Sequence, residues 1–218
     1  MKKHPAVFND TYLPTMAYVL RGKDKILDPF AGTGKIAKIK EHGYKGYIVC
    51  NEIEPEWANT NLYNVDEWHC GDAAHMDWAK DEEFDAISTS PTFGNRMADG
   101  YNPNSKWERI GYAEYLKRPL SNENTGSMQW GEKYKNKHIE CYFEFLRVLK
   151  HGGLLVINVS NHIRGKEEVD VVGWHKDTLK CMSLKEIDDL TFATPRMRRG
   201  ENNKARVKYE HLLIMAKP

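Results

Sequence analysis

The chain has 218 residues, of which 40% are hydrophobic and 29% charged, with a formal net charge of +1. That is the size of one domain with enough chain for a core, and it excludes a strongly basic whole-protein field, so any nucleic-acid contact must come from a local patch. Cys50, Cys70, Cys141 and Cys181 form no Cys-x-x-Cys pair, which leaves zinc and redox motifs unsupported and reads as reduced thiols in a cytoplasm. No apolar run is long enough to span a bilayer, and Met-Lys-Lys-His-Pro at the start lacks the apolar stretch of a secretion signal.

Residues 1–11 read as polar and extended. Leu13, Met16, Ala17 and Leu20 recur at helical spacing, predicting a helix over 12–20 with Pro14 in its first turn. A short strand follows at 25–27. A helix is expected at 36–42, with Gly43 as its C-cap. Residues 47–50 read as a second strand, 56–63 as a helix, 68–70 as a third strand and 74–80 as a helical turn. An alternating strand at 84–88 feeds Thr89-Ser90-Pro91-Thr92-Phe93-Gly94. Most of 95–136 has no legible regular structure. Ile139, Tyr142, Phe143, Leu146 and Leu149 share one face of a helix over 139–149. Gly152-Gly153 then turns into a buried strand at 154–159. Helices are read at 174–182 and 184–190, the start of a strand at 192–194, a basic turn at 197–204 and a strong strand at 206–216. Alternating strands and helices imply an α/β fold, with a mostly parallel sheet and helices on both faces. The last two strands are expected to form an antiparallel edge hairpin.

In such sheets ligands bind beyond the carboxyl ends of the strands, and four polar elements fall there in turn. The first is the bend Asp28-Pro29-Phe30-Ala31-Gly32-Thr33-Gly34. Glycines between a strand and a helix let backbone N–H groups approach a ligand closely. The spacing is not the dinucleotide fingerprint, which needs a third glycine, and an ordinary strand–helix turn uses the same residues. The second is Glu52, 18 residues past Gly34, with Ile53 beside it; an acid near that distance can accept both hydroxyls of a ribose, and Glu54 competes for the role. The third is Asp72, followed by Ala73, which can accept a hydrogen bond from an exocyclic amine or simply cap the turn after it. The fourth is Ser90-Pro91-Thr92-Phe93, a reactive loop or a strand-ending turn. Single turns and caps do not explain all four at successive strand ends.

These motifs resemble those of the S-adenosylmethionine-dependent DNA amino-methyltransferases, which act on adenine N6 or cytosine N4. Asp28 to Gly34 is similar to their cofactor motif, Glu52-Ile53-Glu54-Pro55-Glu56-Trp57 to their second-strand segment, and Gly71-Asp72-Ala73 to the acid on the adenine side. Ser90-Pro91-Thr92-Phe93 resembles the catalytic motif Asp/Asn/Ser-Pro-Pro-Tyr/Phe. His4-Pro5-Ala6-x-Phe8 resembles the extended segment before the cofactor motif, which implies that His4 and Phe8 help hold the methionine end. The order of motifs is that of the members without circular permutation. The run from Gly94 to Asp99 is similar to one in small phage-encoded members, which implies a phage or prophage source and action in the host cytoplasm. The resemblance implies a Rossmann-like class I methyltransferase fold with S-adenosylmethionine as cofactor and no metal. It departs at Thr92, where the motif has a second proline; threonine leaves φ free and restores an N–H.

The chemistry follows from the residue types. A base amine is a poor nucleophile because its lone pair is delocalised into the ring. Ser90 Oγ and the Pro91 carbonyl can accept its N–H groups and stabilise the charge that grows on nitrogen as the methyl transfers. Phe93 can stack on the base, and a duplex target implies flipping. No cysteine follows a proline, which disfavours cytosine-C5 chemistry.

Beyond Asn95, itself a candidate nucleic-acid contact, basic and aromatic residues interleave up to position 138 as phosphate contacts and base stacking require: Arg96, Lys106, Trp107, Arg109, Tyr112, Tyr115, Lys117, Arg118, Trp130, Lys133, Tyr134, Lys135 and Lys137. Interspersed acids allow a solvated lid instead. A second basic cluster, including Arg198 and Arg199, lies by the final hairpin. His162 and His175 lack metal-ligand spacing and read as packed or surface residues. An RNA base methyltransferase, and a cofactor-binding protein impaired at Thr92, remain the alternatives to a DNA enzyme.

Overall fold

A short 3-10 turn at Asp10–Tyr12, capped by the Asn9 side chain, leads into helix α1, Leu13–Val19. A computed structural model describes residues 4, 9–58, 60, 62–94, 111–193 and 207–218. Leu13, Met16, Ala17 and Leu20 are buried, as their spacing requires. Strand β1 spans Lys25–Asp28, and β2, Tyr47–Glu52, follows through a 3-10 helix at Lys35–His42 rather than the α-helix expected there. Strand β3 is Glu67–Cys70 and β4 is Phe84–Thr89. Among the described residues, 56–63 forms turns and bends rather than the expected helix, and 74–80 holds turns where a helical turn was expected.

Helix α2, Tyr112–Leu116, and a 3-10 turn at Thr125–Ser127 lie in the stretch without legible structure. Helix α3 runs over Glu132–Val148, seven residues earlier than expected. Its buried stripe is Tyr134, Lys137, His138, Cys141, Tyr142, Phe145 and Val148, so Phe143, expected on the core face, is exposed. Two polar-capable residues, Lys137 and His138, sit on that stripe, which is why apolar periodicity placed the face one residue away. Strand β5 is Leu149–Val159 and includes the glycine pair. A hairpin of β6, His162–Arg164, and β7, Glu167–Val169, precedes helix α4, Val171–Cys181.

The largest correction is β8, Lys185–Ala193, which replaces the helix expected at 184–190 and pairs along its length with β9, Tyr209–Ala216. Its charged residues have good helical propensity, but its neighbour in the sheet decides its state.

The seven strands lie in the order β3-β2-β1-β4-β5-β9-β8. β1 to β5 pair in parallel, and β9 is antiparallel to both β5 and β8. Alternate residues of each strand feed two cores. Leu27, Val49, Ile87, Leu155 and Leu213 pack under α3 and α4. Ile26, Ile48, Ala86, Val156 and Leu212 pack under α1 and the 3-10 helix. A smaller cluster of Trp57, Tyr112, Ala113, Leu116 and Leu120 roots the segment carrying α2. The expected mostly parallel sheet, covered on both faces and closed by an antiparallel edge hairpin, is the observed architecture. The strand order reverses between the parallel neighbours β1 and β4, where such folds bind ligands.

Candidate active site

The bend after β1 closes through Gly32 at φ 54° and Gly34 at φ 79°. Both are in the left-handed region that favours glycine. A Cβ on Gly32 would meet the His4 ring at 3.1 Å, and one on Gly34 would meet the Trp68 ring at 2.7 Å. His4 thus lies over the bend, edge-on to Trp57 at 4.4 Å between ring centroids. Ala31 N–H donates to the Asn51 carbonyl, 3.0 Å away, and Thr60 Oγ1 donates to the Thr33 carbonyl at 3.2 Å. Asn51 Nδ2 reaches the Pro29 carbonyl at 3.4 Å and the Gly71 carbonyl at 2.9 Å, tying the loops after β1 and β3 to the end of β2. Phe30, half-buried, packs against His138 and Phe145 of α3.

Glu52 is buried and accepts from Gly32 N–H at 2.8 Å and from Glu54 N–H at 2.9 Å. Burial pushes its carboxyl up to about 8 against those two N–H groups. Glu54 has a different occupation. Arg118 Nη2 donates to one oxygen at 2.6 Å, while Ser121 N–H and Asn124 Nδ2 donate to the other, each at 2.8 Å. Glu54 anchors the segment after α2, so of the two acids Glu52 is the one directed at the glycine bend. Asp72 caps Ala74 N–H at 3.0 Å and pairs with Lys137 Nζ at 2.6 Å, leaving each oxygen one further lone pair. Ile53 is half-buried and Ala73 buried beside them.

Asp28, at the end of β1, is buried. Its Oδ1 accepts from Thr89 Oγ1 at 2.6 Å and from Phe30 N–H at 3.2 Å. Its Oδ2 is buried without a partner among the described residues. Burial raises its carboxyl to about 7. The bond from Thr89 joins the bend to the loop Ser90-Pro91-Thr92-Phe93. Ser90 Oγ donates to Asn158 Oδ1 at 3.2 Å, so its lone pairs stay free to accept. Asn158, near the end of β5, also accepts from Tyr12 Oη at 3.0 Å and donates to the His211 carbonyl at 3.3 Å. The Thr92 carbonyl accepts from Tyr134 Oη. Phe93 is half-buried against the larger core. Asn158 was missed in sequence, and Tyr134, read there among the nucleic-acid contacts, instead bonds this loop. Asn158 is the one polar residue in Leu154-Leu155-Val156-Ile157-Asn158-Val159, and a lone amide at the carboxyl end of a buried strand was the available signal.

The basic patch is partly corrected. Arg118 is tied to Glu54 and Glu56, and Lys137 is buried between Asp72 and Glu123, with Nζ 2.6 Å and 3.0 Å from their carboxylates. Tyr112 and Tyr134 are buried, and Lys135 lies over the Trp130 ring. Arg118 and Lys137 are drawn to acids, Glu54 after β2 and Asp72 after β3, and the two tyrosines to the core. Lys117 and Lys133 are exposed. Phe8, Asn95, Arg96, Lys106, Trp107, Arg109, Arg198 and Arg199 lie outside the described residues. His175, on α4, is buried against Tyr134 and Tyr142 of α3, and His162 is half-buried.

No protein-family model matches the chain, and no protein of curated function is detectably similar to it in sequence. Solved structures match in fold. A TehB-like SAM-dependent methyltransferase from Corynebacterium glutamicum is 14% identical, with a TM-score of 0.55 over 96% of this chain and 90% of that one. A SAM-dependent methyltransferase from Methanosarcina mazei is 12% identical, with a TM-score of 0.56 over 94% and 97%. The cyclase SpnF is 14% identical, with a TM-score of 0.55 over 94% and 80%. These likenesses establish a Rossmann-like fold of the class I methyltransferase type; that a cyclase shares it means the chemistry must be argued from the site.

Proposed function

We propose that this chain is an S-adenosylmethionine-dependent methyltransferase that modifies an exocyclic amine of a DNA base, adenine N6 or cytosine N4. The observation that carries the reading is the bond from Thr89 to Asp28, which holds the glycine bend and the Ser90–Phe93 loop together where the strand order reverses. The fold shared with two SAM-dependent methyltransferases supports the cofactor. So do the residues. A bend that favours glycine at two positions, a buried acid bonded to it and an Asp28 Oδ2 without a partner among the described residues suit a ligand rich in hydroxyl and amine donors.

The bend would hold the cofactor's methionine portion with His4 above it, Glu52 its ribose hydroxyls, and Asp72 its adenine amine. When bound, the cofactor supplies a methyl group made electrophilic by a sulfonium. The chain's own groups prepare the acceptor. Ser90 Oγ, its hydrogen directed to Asn158, offers lone pairs to one amine N–H, and the Pro91 carbonyl accepts the other. Both stabilise positive charge developing on nitrogen. Phe93 stacks on the base. Exposed Lys117 and Lys133 would contact phosphates.

The test is transfer of a labelled methyl group to unmodified duplex DNA, to RNA and to no acceptor. Label in DNA is expected, and Ser90→Ala with Phe93→Ala should abolish it. Label in RNA alone, or cofactor binding without transfer, removes the DNA reading.

A further inference from the structure

The Ser90–Phe93 loop lacks the second proline of the motif it resembles, so nothing in its own covalent structure fixes φ at Thr92. A hydrogen-bonded chain reaches it instead. Tyr134 of α3 bonds the Thr92 carbonyl, and its Oη is 3.0 Å from Nε2 of His175 on α4. Tyr142, two turns along α3, bonds Nδ1 of the same imidazole. All three side chains are buried.

The direction of every hydrogen is determined. A carbonyl only accepts, so Tyr134 donates to Thr92. Its oxygen must then receive Nε2–H from His175. That leaves Nδ1 bare, and Tyr142 donates to it. One neutral tautomer satisfies all three side chains with no donor left over. Burial keeps the imidazole neutral by holding its protonation well below the usual histidine range. Neighbouring contacts restrain the same loop: Trp130 N–H donates to the Gly94 carbonyl at 2.8 Å, and the Trp130 and Tyr134 rings pack with centroids 5.2 Å apart. A buried polar chain is costly unless complete, and this one ends on a backbone atom of the candidate reactive loop rather than on the helices themselves.

We infer that Tyr142, His175 and Tyr134 form a positioning relay that clamps the Thr92 carbonyl and so orients Ser90, Pro91 and Phe93, doing by hydrogen bonding what a proline ring at position 92 would do covalently. The inference rests on the proposed function of that loop, and its experiment separates the two. Amide hydrogen exchange at Ser90, Phe93 and Gly94 reads the clamp without any reaction. Tyr134→Phe and His175→Leu should each speed that exchange by about tenfold, as expected for loss of one net hydrogen bond. Both should lower kcat for labelled methyl transfer by about tenfold or more while the Kd for S-adenosylmethionine stays within about twofold. His175→Gln, whose amide can donate to Tyr134 and accept from Tyr142, should keep exchange and kcat near wild type and guards against a variant that merely fails to fold. Thr92→Pro placed in the Tyr134→Phe background should restore both. Wild-type exchange in folded Tyr134→Phe, a parallel loss of cofactor affinity, or no recovery with Thr92→Pro overturns the relay. A wild-type chain that transfers no methyl group to any nucleic acid, yet shows the expected exchange pattern, overturns the function and leaves the relay standing.

Discussion

Thr89 Oγ1 donates to Asp28 Oδ1 at 2.6 Å, the ends of β4 and β1 meeting through side chains where the backbone ladder between them has stopped. Each residue begins one of the two loops that matter. A shift of either loop therefore pulls on the other, and the pair is the shortest link between the candidate cofactor bend and the candidate acceptor loop.

Asp28 should make stability fall as pH rises. Burial raises its folded pKa to about 7, whereas an unfolded Asp titrates near 4. Between those values the folded chain keeps a proton that the unfolded chain has released, so stability declines from about pH 4 to about pH 7 and levels off above. Glu52, raised to about 8, acts in the same sense over a window reaching one unit higher. Asp28→Asn keeps an acceptor for Thr89 and removes the first contribution. It should be more stable than wild type at pH 8 by roughly 2–4 kcal/mol and nearly equal at pH 4. Urea unfolding at both pH values checks this; the same gap at both would count against it.

Cofactor binding should release a proton. A cationic ligand with ribose hydroxyls favours the charged form of Glu52, so affinity should strengthen from pH 6 to pH 9. Titration calorimetry in two buffers of different ionisation enthalpy would detect the released proton. Glu52→Gln should weaken binding and flatten the pH dependence; a flat profile in wild type would separate Glu52 from the ligand.

Glu54→Ala should damage the fold. It strips partners from the Arg118 guanidinium, Ser121 N–H and Asn124 at once. Arg118, partly exposed, keeps Glu56, so the cost is that of the two donors left without an acceptor, about 1–3 kcal/mol each. Glu54→Gln should cost less and leave cofactor affinity unchanged, in contrast to Glu52→Gln. Loss of affinity with normal stability would transfer the ribose role to Glu54.

Asn158→Ala should lower kcat without moving cofactor Kd. The Ser90 hydroxyl would lose its acceptor and rotate among other partners, some of which occupy the lone pairs needed by an amine. A loss of about tenfold is expected, with Ser90→Ala costing less in the Asn158→Ala background than in wild type. Additive losses in the double variant would mean that the two residues act separately.

Much of the sheet was legible because burial on both faces writes itself as apolar strands such as Ile26-Leu27 and Ile48-Val49-Cys50, broken by turn residues. The rim was legible because turn glycines and acids recur at one strand end after another, although each alone serves an ordinary turn or cap. What escaped was decided at a distance. Strand β8, with Lys185, Glu186, Asp188 and Asp189, has no local reason to extend; β9 supplies it. The inward turn of Lys137 depends on Asp72, 65 residues away, and that of Arg118 on Glu54, 64 residues away. Tyr134 looked like one aromatic among many in a polar stretch until Thr92 and His175 were brought to it by separate elements.

Strand β9 lies between β5 and β8 although it follows both in the chain. During synthesis β8 therefore leaves the ribosome before the strand that must separate it from β5 exists. The growing chain has to hold an apolar edge at Val156 and Ile157 open, without letting β8 seize it, until Leu213 and Ile214 arrive. The acidic pairs on β8 make it a poor substitute for that position, so the order of emergence is guarded by charge.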